Sequence, residues 1–424
     1  MRHQIDITAY GAFGPVMADA IEACVHCGFC LPTCPTYRLL GQEMASPRGR
    51  IIIMKEALEG QLGLEVASEH LDPCLGCLAC VTACPSGVEY GELITAFRMT
   101  TEDQRERPLM DRVVRKAVSS TLPYPQRFRI AARMGNLARS VERILPERLR
   151  GMLDLLPASL PARRDHSGVH APVGEKRGRV ALLLGCAQQV LAPDLNTATI
   201  RLLTANGIEV VVPDTQGCCG ALAAHTGLLR EARTAARNNM DAFDVDVDAV
   251  ITNAAGCGSG MHEYGLWLRG EPDEQRGSAL AGITLDVCAY LARIGLRPAT
   301  SEDAAPRLRV AYHDACHLAH GQGIRDEPRE LLRSMPGVEL VELGDAEICC
   351  GSAGTYNIEQ PAIASRLGQD KAELIRQVEP DIVVTGNIGC MTQLSAHVQP
   401  GVPPVMHTVE LLAGFYEWGG QNVR

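Results

Sequence analysis

The stretch CVHCGFCLPTCP, residues 24–35, places four cysteines in a tight run that closes on a proline. The chain repeats it as CLGCLACVTACP, residues 74–85. Written out, the runs are Cys24-x2-Cys27-x2-Cys30-x3-Cys34-Pro35 and Cys74-x2-Cys77-x2-Cys80-x3-Cys84-Pro85. A cubane [4Fe–4S] cluster offers one iron to each of four thiolates. Three cysteines two residues apart wrap one cluster within a single loop, and the fourth, ahead of proline, leaves that loop for the neighbouring cluster. Cys24, Cys27, Cys30 and Cys84 are therefore expected around one cluster, and Cys74, Cys77, Cys80 and Cys34 around a second. Each run completes the other's site, and the crossing brings the clusters close together, which suits stepwise electron movement. Zinc is the competing occupant of CxxC pairs. Paired runs of four, each ending in proline, argue against it. His26 reads as a surface or neighbouring residue, because the thiolate count is complete without it.

This is the bacterial ferredoxin spacing, and its surroundings read as helical. SPRGRIIIMKEALEG, residues 46–60, has a Ser-Pro start and a glycine stop. EYGELITAFRMTTEDQ, residues 89–104, is similar. Residues 1–97 are expected to form an all-helical, two-cluster, ferredoxin-type domain. Arg48 and Arg50 stand ready to hydrogen-bond cluster sulfur or a nearby carboxylate, or simply to open a surface helix.

The 424 residues allow two or three domains. Aromatics are only 4% of the chain, so the core should be aliphatic. No apolar run approaches the roughly 18 residues of a membrane span. The start, MRHQIDITAY, lacks the features of a secretory signal, which predicts a cytoplasmic protein. Seventeen cysteines in a reducing compartment point to metal or redox chemistry rather than a disulfide scaffold. Net charge is -10. Residues 98–179 nevertheless hold 18 Lys and Arg against 9 Asp and Glu, a local +9 that leaves -19 for the rest. This basic helical linker, taken as 98–178, is either a solvated connector or a docking face for an acidic partner or anionic membrane. No nucleic-acid-binding motif accompanies the charge.

From Arg179 the sequence duplicates itself. RVALLLGCAQQV parallels RVAYHDACHLAH, IEVVVPDTQGCCG parallels VELVELGDAEICCG, and DAVITNAAGC parallels DIVVTGNIGC. Short β-branched runs alternating with helical segments imply βαβ units with parallel strands. The expected fold is thus α/β, with a helical N-terminal domain followed by two similar lobes, 179–300 and 301–424, related by pseudo-twofold symmetry. Each lobe carries four cysteines in matching places, Cys186, Cys218, Cys219 and Cys257, then Cys316, Cys349, Cys350 and Cys390. They fall at predicted strand ends, where open α/β sheets bind ligands, and four thiolates suffice for one metal or one cluster. The glycines beside each Cys-Cys pair are expected to let backbone amides approach a cofactor or anion. Cys288 has no counterpart and reads as a buried, inert thiol. His225, His313, His317 and His320 lie near these thiolates, as proton donors, metal ligands or core residues. His317 is the choice among them. No catalytic residue is assigned.

A doubled ferredoxin run followed by two CCG repeats resembles the iron–sulfur subunits with cysteine-rich CCG domains. These include the subunits of glycolate oxidase (glycolate dehydrogenase), anaerobic glycerol-3-phosphate dehydrogenase and lactate utilisation complexes; heterodisulfide reductase shares the CCG repeats. The likeness is carried by ACVHCGFCLPTCPTYRLLG, SPRGRI, EHLDPCLGCLACVTACPSGVEY, GCAQ, GCCGA, GCGSGMHEYG, CCGSAGTY and TGNIGC. It leans toward the glycolate oxidase group. Some members end each repeat with CxxC, whereas here Gly260 and Gln393 stand at the second cysteine's place. The resemblance implies a flavin-containing dehydrogenase partner that oxidises glycolate to glyoxylate. This chain would pass the electrons through two [4Fe–4S] clusters toward a quinone, from a peripheral position on the inner face of the cytoplasmic membrane. Lactate or glycerol 3-phosphate dehydrogenation, or heterodisulfide-reductase-like catalysis in the lobes, are the alternatives. No strand–GxGxxG–helix unit offers a flavin site here, so the hydroxy-acid chemistry is expected on the partner.

Overall fold

The Ser46 hydroxyl accepts the Gly49 amide at 3.0 Å, and Pro47 opens a helix that runs Pro47–Leu58. Both are common helix-start devices. The computed structural model describes residues 1–140, 153, 156–299, 307–397 and 403–416. Part of the basic stretch, residues 141–152, 154 and 155, lies outside the described residues. The N-terminal region is helical, with helices Gly14–Ala23, Pro35–Leu40, Pro47–Leu58, Leu64–Leu71 and Tyr90–Thr101 as its main elements. Met17, Ile21, Met54, Leu93 and Ile94 form its aliphatic centre. Two further helices, Leu109–Thr121 and Pro125–Ala138, follow in the basic stretch.

The duplicated region forms two sheets. The first holds β1 (Gly168–His170), β2 (Gly178–Leu182), β3 (Ile208–Val212), β4 (Ala249–Thr252) and β5 (Thr284–Asp286), in the order β1-β3-β2-β4-β5. The second holds β6 (Leu308–His313), β7 (Val338–Glu342), β8 (Ile382–Thr385) and β9 (Val405–His407), in the order β7-β6-β8-β9. Every pairing is parallel except β1 with β3. Without β1, the two orders are the same arrangement. Val180 lies between Val210 and Ala249, as Val310 lies between Leu340 and Ile382. The antiparallel β1 is an addition that the duplication does not announce. It is three residues long and mostly exposed, so it leaves no periodic apolar signal.

The lobes meet through their helices. Helix Pro193–Ala205 packs on helix Thr408–Ala413, and helix Val287–Ile294 packs on helix Asp326–Arg333. In the repeat, Pro193–Ala205 and Asp326–Arg333 are the matching helices that lead into the second strand of the duplicated unit, and Val287–Ile294 and Thr408–Ala413 are the matching last helices. Both contacts are thus one contact with the lobes exchanged, the signature of a two-fold relation. Val180, Leu203, Tyr312, Leu332 and Val409 share a single core across that junction. Each of the buried Val and Leu side chains contributes roughly 1.5–3 kcal/mol, so the lobes are held as one unit.

Candidate cluster-binding sites

Cys24 ends helix Gly14–Ala23, and Cys34 precedes helix Pro35–Leu40. Proline at the first helical position turns the chain away from the first loop just after Cys34. The result is two pockets. One is bordered by Cys24, Cys27, Cys30 and Cys84, the other by Cys34, Cys74, Cys77 and Cys80. Cys34 therefore sits with the second run and Cys84 with the first. Cys80 and Tyr90 border both pockets, so the two share a wall. Among the described residues no carboxylate lines either one. Four soft sulfur donors and no hard oxygen ligand suit an iron–sulfur cluster. Burial pushes the Cys30 thiol up to about 11 and raises those of Cys77 and Cys80 well above the ordinary range. These sulfurs shed their protons when a metal compensates them.

The two arginines of the SPRGRI stretch part ways. Arg48 pairs with Glu43 at 2.7 Å and donates to the His26 carbonyl at 3.0 Å, so it braces the first loop. Arg50 is 1% exposed. Its Nε donates to the His70 carbonyl at 2.8 Å, its Nη1 lies 3.9 Å from Cys34 Sγ, and its Nη2 makes no hydrogen bond. It is a buried cation at the second pocket, not a surface helix start. Burial raises the Cys74 thiol, but the charges of Arg50 and then Arg98 outweigh this and leave it lowered. His26 is exposed.

The pockets differ in exposure. Cys27 is exposed, and Val25 and Phe29 beside it are 67% and 65% exposed. The second loop instead faces the second lobe. Leu75 and Cys77 pack with Cys316, Cys349 and Tyr356, and the Tyr356 hydroxyl donates to the Pro73 carbonyl at 2.8 Å.

Within each lobe the four cysteines converge at the ends of parallel strands, where ligands bind such sheets. Cys186 follows β2, Cys218 and Cys219 follow β3, and Cys257 lies in helix Ala255–His262 after β4. Cys218 and Cys186 sulfurs are 3.4 Å apart, and Cys219 neighbours both Cys218 and Cys257. In the second lobe Cys316 and Cys349 are 3.8 Å apart, and Cys350 neighbours Cys349 and Cys390. The glycines beside the pairs also answer a packing demand. Gly220 and Gly351 both have left-handed backbones, φ 89° and 92°. A Cβ would stand 3.0 Å from Ala235 and Trp267 in the first case and 2.6 Å from the Ala364 carbonyl oxygen in the second. They are glycine for a tight turn against a helix. A direct amide contact with sulfur also exists, Gly220 N–H to Cys218 Sγ at 3.5 Å. Gly260 lets its helix approach Ala221, where a Cβ would stand at 2.6 Å. Gln393 is buried and donates to the Cys350 and Ala364 carbonyls at 3.2 and 2.8 Å.

The histidines separate. His317 meets His225 between the lobes in a tilted ring contact, centroids 5.4 Å apart. Burial holds both neutral, His225 down to about 3 and His317 to about 4. His320 bonds Thr82 at 2.8 Å and ties the N-terminal domain to the second lobe. His313, not the favoured His317, joins the cysteines: its ring nitrogen and the sulfurs of Cys350 and Cys390 lie within 4.8 Å of one another. The signal is present in the repeat, which aligns His313 with Leu183, a polar residue where the other lobe is apolar. Cys288 is 1% exposed, and burial pushes its thiol up.

Known proteins match this arrangement. The family model "4Fe-4S dicluster domain" covers residues 20–88, and "Cysteine-rich domain" covers 180–262 and 310–395. The chain is 37% identical to the glycolate oxidase iron–sulfur subunit of Escherichia coli (strain K12), over 93% of this chain and 94% of that one. It is 36% identical to the probable glycolate oxidase iron–sulfur subunit of Bacillus subtilis (strain 168), over 92% of each. A crystal structure of a hypothetical protein from Helicobacter pylori has the same fold. Its TM-score is 0.56 at 9% identity, over 97% of this chain and 73% of that one. Among the described residues no helix is long and apolar enough to cross a membrane. With cysteine pockets, duplicated lobes and near full-length likeness in agreement, the chain belongs to the family of glycolate oxidase iron–sulfur subunits.

Proposed function

We propose that this chain is the electron-transfer subunit of a glycolate-oxidising dehydrogenase, fed by a flavin-containing subunit and delivering electrons toward a quinone. Cys24, Cys27, Cys30 and Cys84 hold one [4Fe–4S] cluster; Cys74, Cys77, Cys80 and Cys34 hold the other. The eight lobe cysteines form two further metal or cluster centres. The functional division follows 1–97, 98–178, 179–300 and 301–424, except that the end of the basic segment is not helical linker: β1 and Gly178 already belong to the first lobe's sheet. The observation that carries this reading is the graded burial of the two pockets. The first opens at a rim of exposed Val25, Cys27 and Phe29; the second is enclosed against Cys316 and Cys349. Such a gradient suits entry at the rim and exit through the second lobe. The clusters supply one-electron carriage when bound. The protein's own part is to hold the thiolates, exclude water from the second pocket and place Arg50 beside it. The test is Phe29→Glu in the reconstituted complex. Electron arrival from the flavin subunit should slow severalfold while both cluster signals persist; unchanged transfer would remove the rim from the path.

The basic stretch supports peripheral membrane attachment. On helix Leu109–Thr121, Leu109, Met110 and Val113 are exposed; on helix Pro125–Ala138, Ile130, Met134 and Leu137 are exposed, up to 78% for Leu137. Arg112, Lys116, Arg127 and Arg133 flank these stripes and are also exposed. Apolar stripes edged with cations are the pattern of helices that lie in an anionic lipid interface. Binding of the whole chain to vesicles containing anionic lipid should weaken with salt and be lost in Ile130→Glu/Met134→Glu. Equal binding to neutral vesicles, or none to either, would refute the membrane assignment.

A further inference from the structure

We infer that His313 is a metal ligand, so that the second lobe holds a mixed cysteine–histidine centre while the first holds a cysteine-only one. The inference rests on the reading of the lobes as metal centres. His313 ends β6, is 0% exposed, and its ring finds no oxygen or nitrogen partner, only the Cys350 thiol. A buried imidazole served by nothing but a weak thiol partner is costly. Its nearest soft neighbours are the Cys350 and Cys390 sulfurs, all three ligand atoms lying within 4.8 Å of one another. Cys349 and Cys316 continue the set, 3.8 Å apart. Imidazole nitrogen with several thiolates is a donor set for zinc or iron. On binding, the thiols lose their protons and His313 gives a ring-nitrogen lone pair as the neutral imidazole.

The first lobe shows the contrast. Counting from Cys186 and Cys316, the residue aligned with His313 is Leu183, buried and part of an apolar core. Leucine offers no donor, so the two centres cannot have the same ligands. A single exchange of residue type on otherwise matching strands would give the centres different metal preference or reduction potential.

The test uses the full chain, purified without oxygen, with 15N-labelled and unlabelled histidine, as wild type, His313→Leu, His313→Cys and Cys350→Ser. Iron and zinc are counted per chain. Pulsed EPR reads imidazole nitrogen on a paramagnetic iron centre, and zinc-edge X-ray absorption reads nitrogen among the sulfur scatterers. The expected result is one imidazole nitrogen on the metal lost in Cys350→Ser. That nitrogen signal disappears in His313→Leu together with metal from the second lobe. His313→Cys, which keeps a donor, retains metal without the nitrogen. Metal present in the second lobe with the same spectrum in His313→Leu overturns the inference and leaves the lobe reading intact. Metal content unchanged by Cys350→Ser overturns both. Retained ferredoxin-type signals and far-UV circular dichroism show that each variant is folded.

Discussion

Replacing Arg50 by methionine should lower the reduction potential of the second ferredoxin-type cluster. The guanidinium is buried, with Nη1 3.9 Å from Cys34 Sγ and Nη2 left without a partner on the protein. Reduction adds a negative charge to the cluster, and a nearby cation favours that state. With the cation roughly 6 Å from the cluster centre and an effective dielectric near 20, the interaction is about 3 kcal/mol. At 59 mV per tenfold for one electron, that corresponds to about 120 mV, an upper figure because water admitted by the variant screens part of it. An EPR-monitored titration of the anaerobic chain should therefore show one cluster moving down by some 50–120 mV, with the other nearly fixed. Arg50→Lys, which keeps the charge, should move it far less. Losing the Nε bond to the His70 carbonyl also costs on the order of 1–3 kcal/mol of stability, so both variants are compared at temperatures well below unfolding. An unchanged potential in an Arg50→Met chain with both clusters assembled would show that Arg50 does not tune the second cluster, as would a shift confined to the exposed cluster.

Cys34→Ser should damage the cluster expected on Cys74, Cys77 and Cys80, not the one beside it in sequence; EPR loss of the other cluster would contradict the crossed assignment. Cys349→Ser should stop electron delivery beyond the ferredoxin-type domain while its signals remain, and full turnover would reduce the lobes to scaffold. Asp72 is held at about 2 against burial by Arg105 and then Arg107, bonded at 2.8–3.2 Å. Its folded value lies below the unfolded one, so its contribution is complete above about pH 4 and is lost as pH falls through 2. Asp72→Asn should then cost about 2 kcal/mol in urea unfolding at pH 7. A change below 0.5 kcal/mol would show the network to be inert. Gly351→Ala, with φ 92° and the Ala364 carbonyl oxygen 2.6 Å from the new Cβ, should destabilise the second lobe by about 1–3 kcal/mol in the same assay.

Much of this is legible in the sequence where chemistry is local. The two ferredoxin runs carry their ligand logic in four residues and a proline, so their pockets can be written down from spacing. The strands IEVVV and DIVVT, and Ser46 as a helix cap, follow from residue preferences acting over a few positions. What the sequence hides depends on contacts between distant segments. Arg50 reads equally as a donor to cluster sulfur or as a helix-opening surface arginine, and only the second loop folding over it decides for the sulfur. Cys77 gains its meaning from packing on Cys316, more than two hundred residues away. Gly220 and Gly351 suggest an approach from the cofactor side, and the sequence does not show that the helix behind them also demands glycine. His317 draws attention because it follows Cys316, yet β6 and the turn after it aim His313 at the sulfurs and send His317 to His225.

A pair of clusters, cross-ligated and near one another, in a chain whose substrate chemistry lies elsewhere, is what the two cysteine runs require. Iron and acid-labile sulfide counts with EPR on the anaerobically purified, dithionite-reduced chain decide it. At least about eight irons and eight sulfides per chain are expected, with a spectrum broadened by interaction between two [4Fe–4S] centres. A colourless chain loaded with zinc alone, or two non-interacting signals, would contradict it.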